Sequence, residues 1–245
     1  MSARVSFATM RRVLLQLRAD PRTIALLVVV PAVLMVLMKR VFLDQPAIFQ
    51  RIGVPLLGIF PLTSMFLVTS ITMLRERTSG TLERLMTMPI AKLDLLVGYE
   101  LAFAVVALLQ SVAVSLVAFG LLGLEVDGPI WAVMALAVLN AVLGAGLGLL
   151  VSAFAETEFQ AVQFMPAFVL PQLFLCGLFA PRSSMSRELE IVSDVLPMTY
   201  AYDVLRRVAA GDGVDDRVVI DVAVLLGATV VALMLGAATL RRRTA

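Results

Sequence analysis

Six uncharged apolar runs, separated by short charged stretches, constrain this chain more than any other feature. They are Thr23–Met38, Ile52–Leu74, Leu101–Leu124, Gly128–Ala155, Phe159–Pro181 and Val222–Leu240. A hydrocarbon core of about 30 Å takes roughly 20 helical residues to cross. Each run reaches or approaches that length, the first once Lys39 and Arg40 snorkel and Val41–Leu43 complete it. In lipid the backbone must satisfy its own polar groups, and no period-two alternation marks barrel strands, so the runs are expected to be helices. Composition agrees, with 60% hydrophobic and 16% charged residues, against about a quarter charged in a soluble domain. The expectation is an all-α integral membrane protein, one transmembrane domain over 1–245, with six spans near 23–43, 52–74, 95–124, 129–154, 159–180 and 218–240. The first run does not read as a signal peptide, because no small-x-small site follows it and Lys39-Arg40 does not fit one.

Six spans place both termini on one side. That side then carries twelve of the 20 Lys and Arg, in the N-terminal arm, the loop after the second run and the tail Arg241–Arg243. Basic residues favour the cytoplasm, so both termini are expected there. Residues 1–22 read as an interfacial helix, with Phe7, Met10, Leu14 and Leu17 on one face and Arg4, Arg11, Arg12 and Arg18 as headgroup anchors. In the cytoplasmic loop 75–92, Gly80 can break the incoming helix, Thr81 can cap a short new one carrying Leu82, Leu85 and Met86 on one face, and Pro89 ends it. That face must rest on lipid, on the protein's own body or in a partner's groove. The outer segment 181–217 reads as two short helices. The first carries Leu189, Val192 and Leu196, with Glu188 and Glu190 near its start; the second follows Pro197 and closes at Gly211 and Gly213. Ala155–Glu158 reads as a solvated turn.

Several functional classes are excluded or disfavoured. Cys176 is the only cysteine, so no disulfide scaffold exists. His is absent, which argues against zinc sites and histidine acid–base chemistry. A net charge of +2 points to no nucleic-acid partner. No Walker A pattern occurs, so the chain has no motor of that kind. Polar residues within the runs stand out instead. Gln110, Ser111, Ser115 and Asn140 can bond between helices or line a route for an amphipathic substrate. Gly144 and Gly148 have the GxxxG spacing of close helix packing, and this glycine face is a candidate dimer seam. Glu100 and Asp221 lie near span ends, where Glu100 is expected to meet an arginine. Pro166 and Pro171 predict kinks.

Arg75-Glu76-Arg77…Gly80-Thr81-Leu82-Glu83-Arg84-Leu85…Pro89 resembles the cytoplasmic loop of type-2 ABC exporter permeases, the drug and antibiotic exporters of the daunorubicin-resistance kind. Leu196-Pro197-Met198-Thr199-Tyr200-Ala201-Tyr202-Asp203-Val204-Leu205-Arg206 is similar to the motif before their last span. The resemblance implies a permease without catalytic residues in the cell membrane, paired with a second permease as homodimer or heterodimer. Two copies of a separate ABC ATPase would bind the ATP and Mg, and this chain would hold no cofactor or metal. It further implies that Gly80, Thr81, Leu82, Glu83, Arg84, Leu85 and Met86 form an ATPase-coupling helix, seated over Thr81–Met88 in a groove of the ATPase. Arg75, Arg77, Glu83 and Arg84 would supply matching charge, and an amphipathic small molecule would cross membrane lipid between the permeases. Export of lipid, glycolipid or polysaccharide fits the same pattern. A proton-coupled carrier using Glu100 or Asp221 is the alternative of another class.

Overall fold

The computed structural model describes residues 2–88, 90–213 and 215–239, and among them the chain is all helical. Ten α-helices follow one another: α1 (Ala3–Arg18), α2 (Pro21–Val41), α3 (Pro46–Thr78), α4 (Thr81–Met86), α5 (Lys92–Ser115), α6 (Ile130–Ser152), α7 (Glu158–Leu175), α8 (Arg187–Val195), α9 (Pro197–Ala209) and α10 (Asp216–Thr239). A π-helical turn, Leu116–Leu121, extends α5, and a 3-10 turn, Arg182–Ser184, precedes α8. Five helices are long and apolar enough to cross a membrane: α2, α3, α5 with its π turn, α6 and α10. The segment expected as a fifth span forms α7, which has 18 residues and carries Gln160, Gln163 and Gln172. It continues through both Pro166 and Pro171. The tail arginines Arg241–Arg243, Leu240 and Pro89 lie outside the described residues.

Helix α3 is the spine. Its 33 residues make a rod about 50 Å long, longer than the bilayer core. Its most extensive pairing is with α6, and the glycines of α6 make it possible. A Cβ at Gly144 would collide with the Leu62 carbonyl oxygen, and one at Gly148 with the Phe66 carbonyl oxygen and the Thr69 hydroxyl. The Thr69 hydroxyl also donates to the Ala145 carbonyl across the crossing (3.1 Å). Gly144 and Gly148 therefore hold two helices of one chain together. The expectation that this face forms a seam between subunits fails, because α3 already occupies it.

The end helices differ from expectation. Burial of α1 centres on Ser6, Thr9, Val13 and Leu17, one row over from the expected apolar stripe, and Phe7 is 65% exposed. The cause is Gly98 of α5, which lies so close that a Cβ there would sit 2.5 Å from Thr9 Cβ and 2.7 Å from the Ser6 carbonyl oxygen. Small hydroxyl residues fit that approach; phenylalanine does not. Ser2 N–H and the Ser6 hydroxyl anchor the helix start, donating to the Asp94 carboxylate (2.9 Å) and its backbone carbonyl (3.0 Å). At the other end of the bundle α9 is core, burying Met198, Ala201, Val204 and Leu205 against α3, α6 and α10. Helix α8 buries only Ser193 and leaves its expected apolar face at Leu189 and Val192 exposed. Lys39 does not snorkel freely; its ammonium lies over the ring of Phe49 at 4.9 Å.

Gly144→Ala is expected to cost about 1–3 kcal/mol through overpacking and to lower the unfolding midpoint in detergent. Gly227→Ala, whose added methyl meets nothing within 4 Å, should not lower it. Cys176 is fully buried, so a thiol-reactive dye reads both transitions.

Candidate functional site

The short helix expected after Gly80 is present. Helix α3 ends at Thr78, Gly80 turns the chain with φ +72°, and α4 follows over six residues. Gly80, not Thr81, takes the N-cap position; the Thr81 hydroxyl instead bonds the Ser79 hydroxyl at 3.0 Å. Leu82 and Met86 are buried against the bundle, at 2% and 7% exposure, while Leu85 is half-buried. The apolar face thus rests on the protein's own body. The face left outward carries Glu83, Arg84, Thr87 and Met88.

Two of the four charges assigned to a partner are used internally. Arg75 forms a bidentate pair with Glu158 on α7, at 2.7 and 3.0 Å. Arg77 donates to the carbonyls of Ser152 and Ala155, where it satisfies the open end of α6 as a cation near a helix C-terminus can. Glu83 and Arg84 remain exposed.

A clasp that the sequence reading missed fixes the end of α3 from which α4 departs. Glu76, 7% exposed, lies at the end of α3. It accepts from Arg12 with both oxygens at 3.3 Å and from the Gln16 amide at 3.1 Å. The same guanidinium bonds the Tyr99 hydroxyl and lies over the Tyr99 ring, 5.5 Å from its centroid. Arg12 is therefore no headgroup anchor. Its signal was in the helical wheel: Arg4, Arg11 and Arg18 share one stripe at seven-residue spacing, and Arg12 stands off it by about 100°.

Beside this clasp a cleft of about 580 Å³ opens between α1, α2 and α3. Its mouth is polar, with Asp20, Thr23, Arg75 and Ser79; its shaft is apolar, with Leu26, Leu27, Val30, Leu67 and Val68. Asp20 caps α2 through Thr23, and those bonds hold its carboxyl below the ordinary aspartate value. A second cavity of about 760 Å³ lies at the opposite end, between the start of α3 and α9. It is lined by Arg51, Arg182, Arg206 and Arg207 against Glu125, Asp127 and Asp203. Arg182 pairs with Asp194 and approaches Asp203 at 3.7 Å. Burial pushes Asp203 above its ordinary value despite the arginines nearby, and burial raises Tyr202 as well.

The four polar residues singled out in the spans line neither cavity. Gln110, Ser111, Ser115 and Asn140 are all at most 1% exposed, inside the bundle. Gln110 donates to the Ser64 hydroxyl at 2.5 Å, and Asn140 packs against Gly58 of α3. The Asn140 amide, the Gln110 carbonyl oxygen and both serine hydroxyls have no partner among the described residues. Among the described residues Glu100 meets no arginine: its carboxylate is buried without a partner there, next to the space left by Gly146 and near Thr229. Asp221, 7% exposed, begins the apolar part of α10.

The sequence profile of the ABC-2 type transporter family matches residues 5–209. The chain belongs to that family. It is a multi-pass membrane permease domain, a non-catalytic transmembrane subunit. Among its relatives is the probable multidrug ABC transporter permease YbhR of Escherichia coli, 24% identical over 157 residues, which is 64% of this chain and 43% of that protein. The linearmycin resistance permease protein LnrN of Bacillus subtilis is 27% identical over 139 residues, 57% of this chain and 36% of that protein. ABC transporter G family member 20 of Dictyostelium discoideum is 27% identical over 139 residues, 57% of this chain and 19% of that protein. The matched stretch of this ABC-2 permease spans less than half of each relative's own length.

Two tests follow from the geometry. Arg12→Ala and Glu76→Ala are each expected to cost about 1–3 kcal/mol, because each leaves a partly buried partner unpaired. The double variant should be less damaging than the sum, and a thermal-unfolding cycle reads that coupling. Asn140→Leu, which replaces an unpaired buried amide by an apolar side chain with the same heavy-atom branching, should leave the unfolding midpoint unchanged or higher.

Proposed function

We propose that this chain is the permease subunit of an ATP-driven ABC exporter for amphipathic drugs or antibiotics, working as a dimer with two copies of a separate ATPase that holds ATP and Mg. One observation carries the reading. A short helix projects from the end of the longest rod in the fold, its apolar side seated on that rod's own bundle and a charged side turned outward. Permeases of this family generally pair with an ABC ATPase subunit, and α4 offers that partner a rigid bump about 9 Å long. The partner reads Glu83, Arg84, Thr87 and Met88, not the buried Leu82 and Met86. Push on this bump passes into α3 through Gly80, whose left-handed backbone fixes the angle, and into α1 through the Glu76 clasp.

The remaining parts fit the same reading. The α1–α2–α3 cleft, polar at its mouth and apolar along its shaft, suits a molecule with one wet and one oily end. The names of the relatives YbhR and LnrN speak of multidrug transport and linearmycin resistance. Helix α7 serves as the sixth crossing, its 18 residues giving about 27 Å and its ring at Phe168 stacking on Phe66 of α3 (6.1 Å). Both termini and α4 then face the cytoplasm of a cell membrane. Helix α2, which buries only Leu27, Pro31 and Met35, offers a flank for a second permease.

Co-reconstitution with the cognate ATPase tests the reading. Glu83→Ala and Gly80→Pro should insert normally yet lower export per ATP hydrolysed by about ten-fold, the loss of about 1.4 kcal/mol of coupling. Export by the purified chain without an ATPase, or normal export per ATP in both variants, overturns it.

A further inference from the structure

Three arginines on α1 are left over after the clasp and the packing are accounted for. Arg4, Arg11 and Arg18 are exposed, and none has an ion-pair partner among the described residues. Their seven-residue spacing sets them along one stripe, about 10 Å apart. The stripe lies on the side of α1 opposite Ser6, Thr9 and Val13, which dock the helix on α5. Phe7, 65% exposed, and Leu15, 54% exposed, flank it on either side. The helix is held rigidly by Gly98, Asp94 and Glu76, so the stripe cannot fold back to find an internal counter-charge.

We propose that this ridge binds the anionic headgroups of the leaflet on the α4 side, and that anionic phospholipid is a ligand of this permease through α1. The chemistry matches at each point. Guanidinium groups pair with phosphate oxygens, and a basic stripe bordered by exposed apolar side chains is the pattern of a helix lying at a charged interface. Each such arginine is worth about five-fold in affinity for an anionic surface. The contact also has a mechanical consequence. The same rigid helix presents the ridge on one side and Arg12 and Gln16 to Glu76 on the other, so headgroups that hold α1 also hold the base of α4. The lipid contact goes beyond the transport reading and is tested without any ATPase.

The experiment reconstitutes the full chain in phosphatidylcholine bilayers containing one phosphatidylglycerol in four, and compares the association of spin-labelled forms of the two lipids. The unaltered chain should select phosphatidylglycerol several-fold, and the preference should shrink as salt rises. The triple variant R4Q/R11Q/R18Q should lose the preference, R4K/R11K/R18K should keep it, and R187Q, on an exposed helix at the other end, should leave it unchanged. If the triple variant does not insert, R11Q alone should reduce the preference, by less than R4Q/R11Q/R18Q does. No preference in the unaltered chain, a preference that survives in R4Q/R11Q/R18Q, or one that is undiminished in R11Q overturns the proposal. So does a ridge variant that keeps lipid selectivity while losing capture of a co-expressed ATPase, since the ridge would then be a protein-docking surface. Failure of export with selectivity intact counts against the transport reading alone.

Discussion

The close approach of α6 to α3 is the contact on which the rest depends. In lipid no hydrophobic force draws two helices together, so backbone proximity, dispersion and a few interhelical hydrogen bonds must do it. Gly144 and Gly148 allow that proximity, and Thr69 adds a hydrogen bond at the crossing. The pairing stiffens α3 along its length. A stiff α3 can then carry two features at once: the cavity near Gln50 and Arg51, and α4 at its far end. Loosening the glycine contact would leave the lever attached to a rod that bends instead of one that moves.

Much of the fold was legible because the bilayer imposes a simple length rule. Each uncharged run holds a long helix; α2 and α3 extend beyond their runs, whereas α6 and α7 stop short of the ends of theirs. Helix α3 starts six residues before its run, at Pro46, and continues through Arg75 and Arg77. Charge marks where lipid ends; the backbone stops only where Gly80 breaks it. The shift of the α1 face by one row was not legible, because it depends on Gly98, some ninety residues away in sequence. The Arg12–Glu76–Tyr99 cluster was hidden for the same reason. Nothing local distinguishes a clasped arginine from a headgroup anchor except its place off the stripe. Helix α9 read only as the second of two short outer helices, yet Met198, Val204 and Leu205 fill the space between three spans.

The candidate site changed most where an amphipathic face met a question of partner. A short helix with Leu82, Leu85 and Met86 on one side reads naturally as a ligand for another protein's groove. Its length argues otherwise: a six-residue helix has too few internal hydrogen bonds to persist on its own, so burial of Leu82 and Met86 is what holds it in shape. A partner that took those two residues would dismantle the lever it needs to push. Recognition through Glu83, Arg84, Thr87 and Met88 leaves the helix intact. Charged contacts at such a rim set register and encounter more than affinity, and that suits a joint that must engage through repeated cycles.

On the exporter reading, the two cavities differ in a way that favours one direction. The cleft near α4 is walled by leucines and valines, and transfer of an apolar surface into such walls is worth about 25 cal/mol per Å². The cavity near α9 is lined by four arginines and three acids, several already paired. An oily tail gains less there, because seven charged side chains share the walls with the apolar ones and keep their own partners or water. An amphipathic molecule is therefore held firmly on the lever side and weakly on the far side. Lever motion driven by nucleotide has only to open the way between them; the polarity of the walls then decides where the molecule lets go.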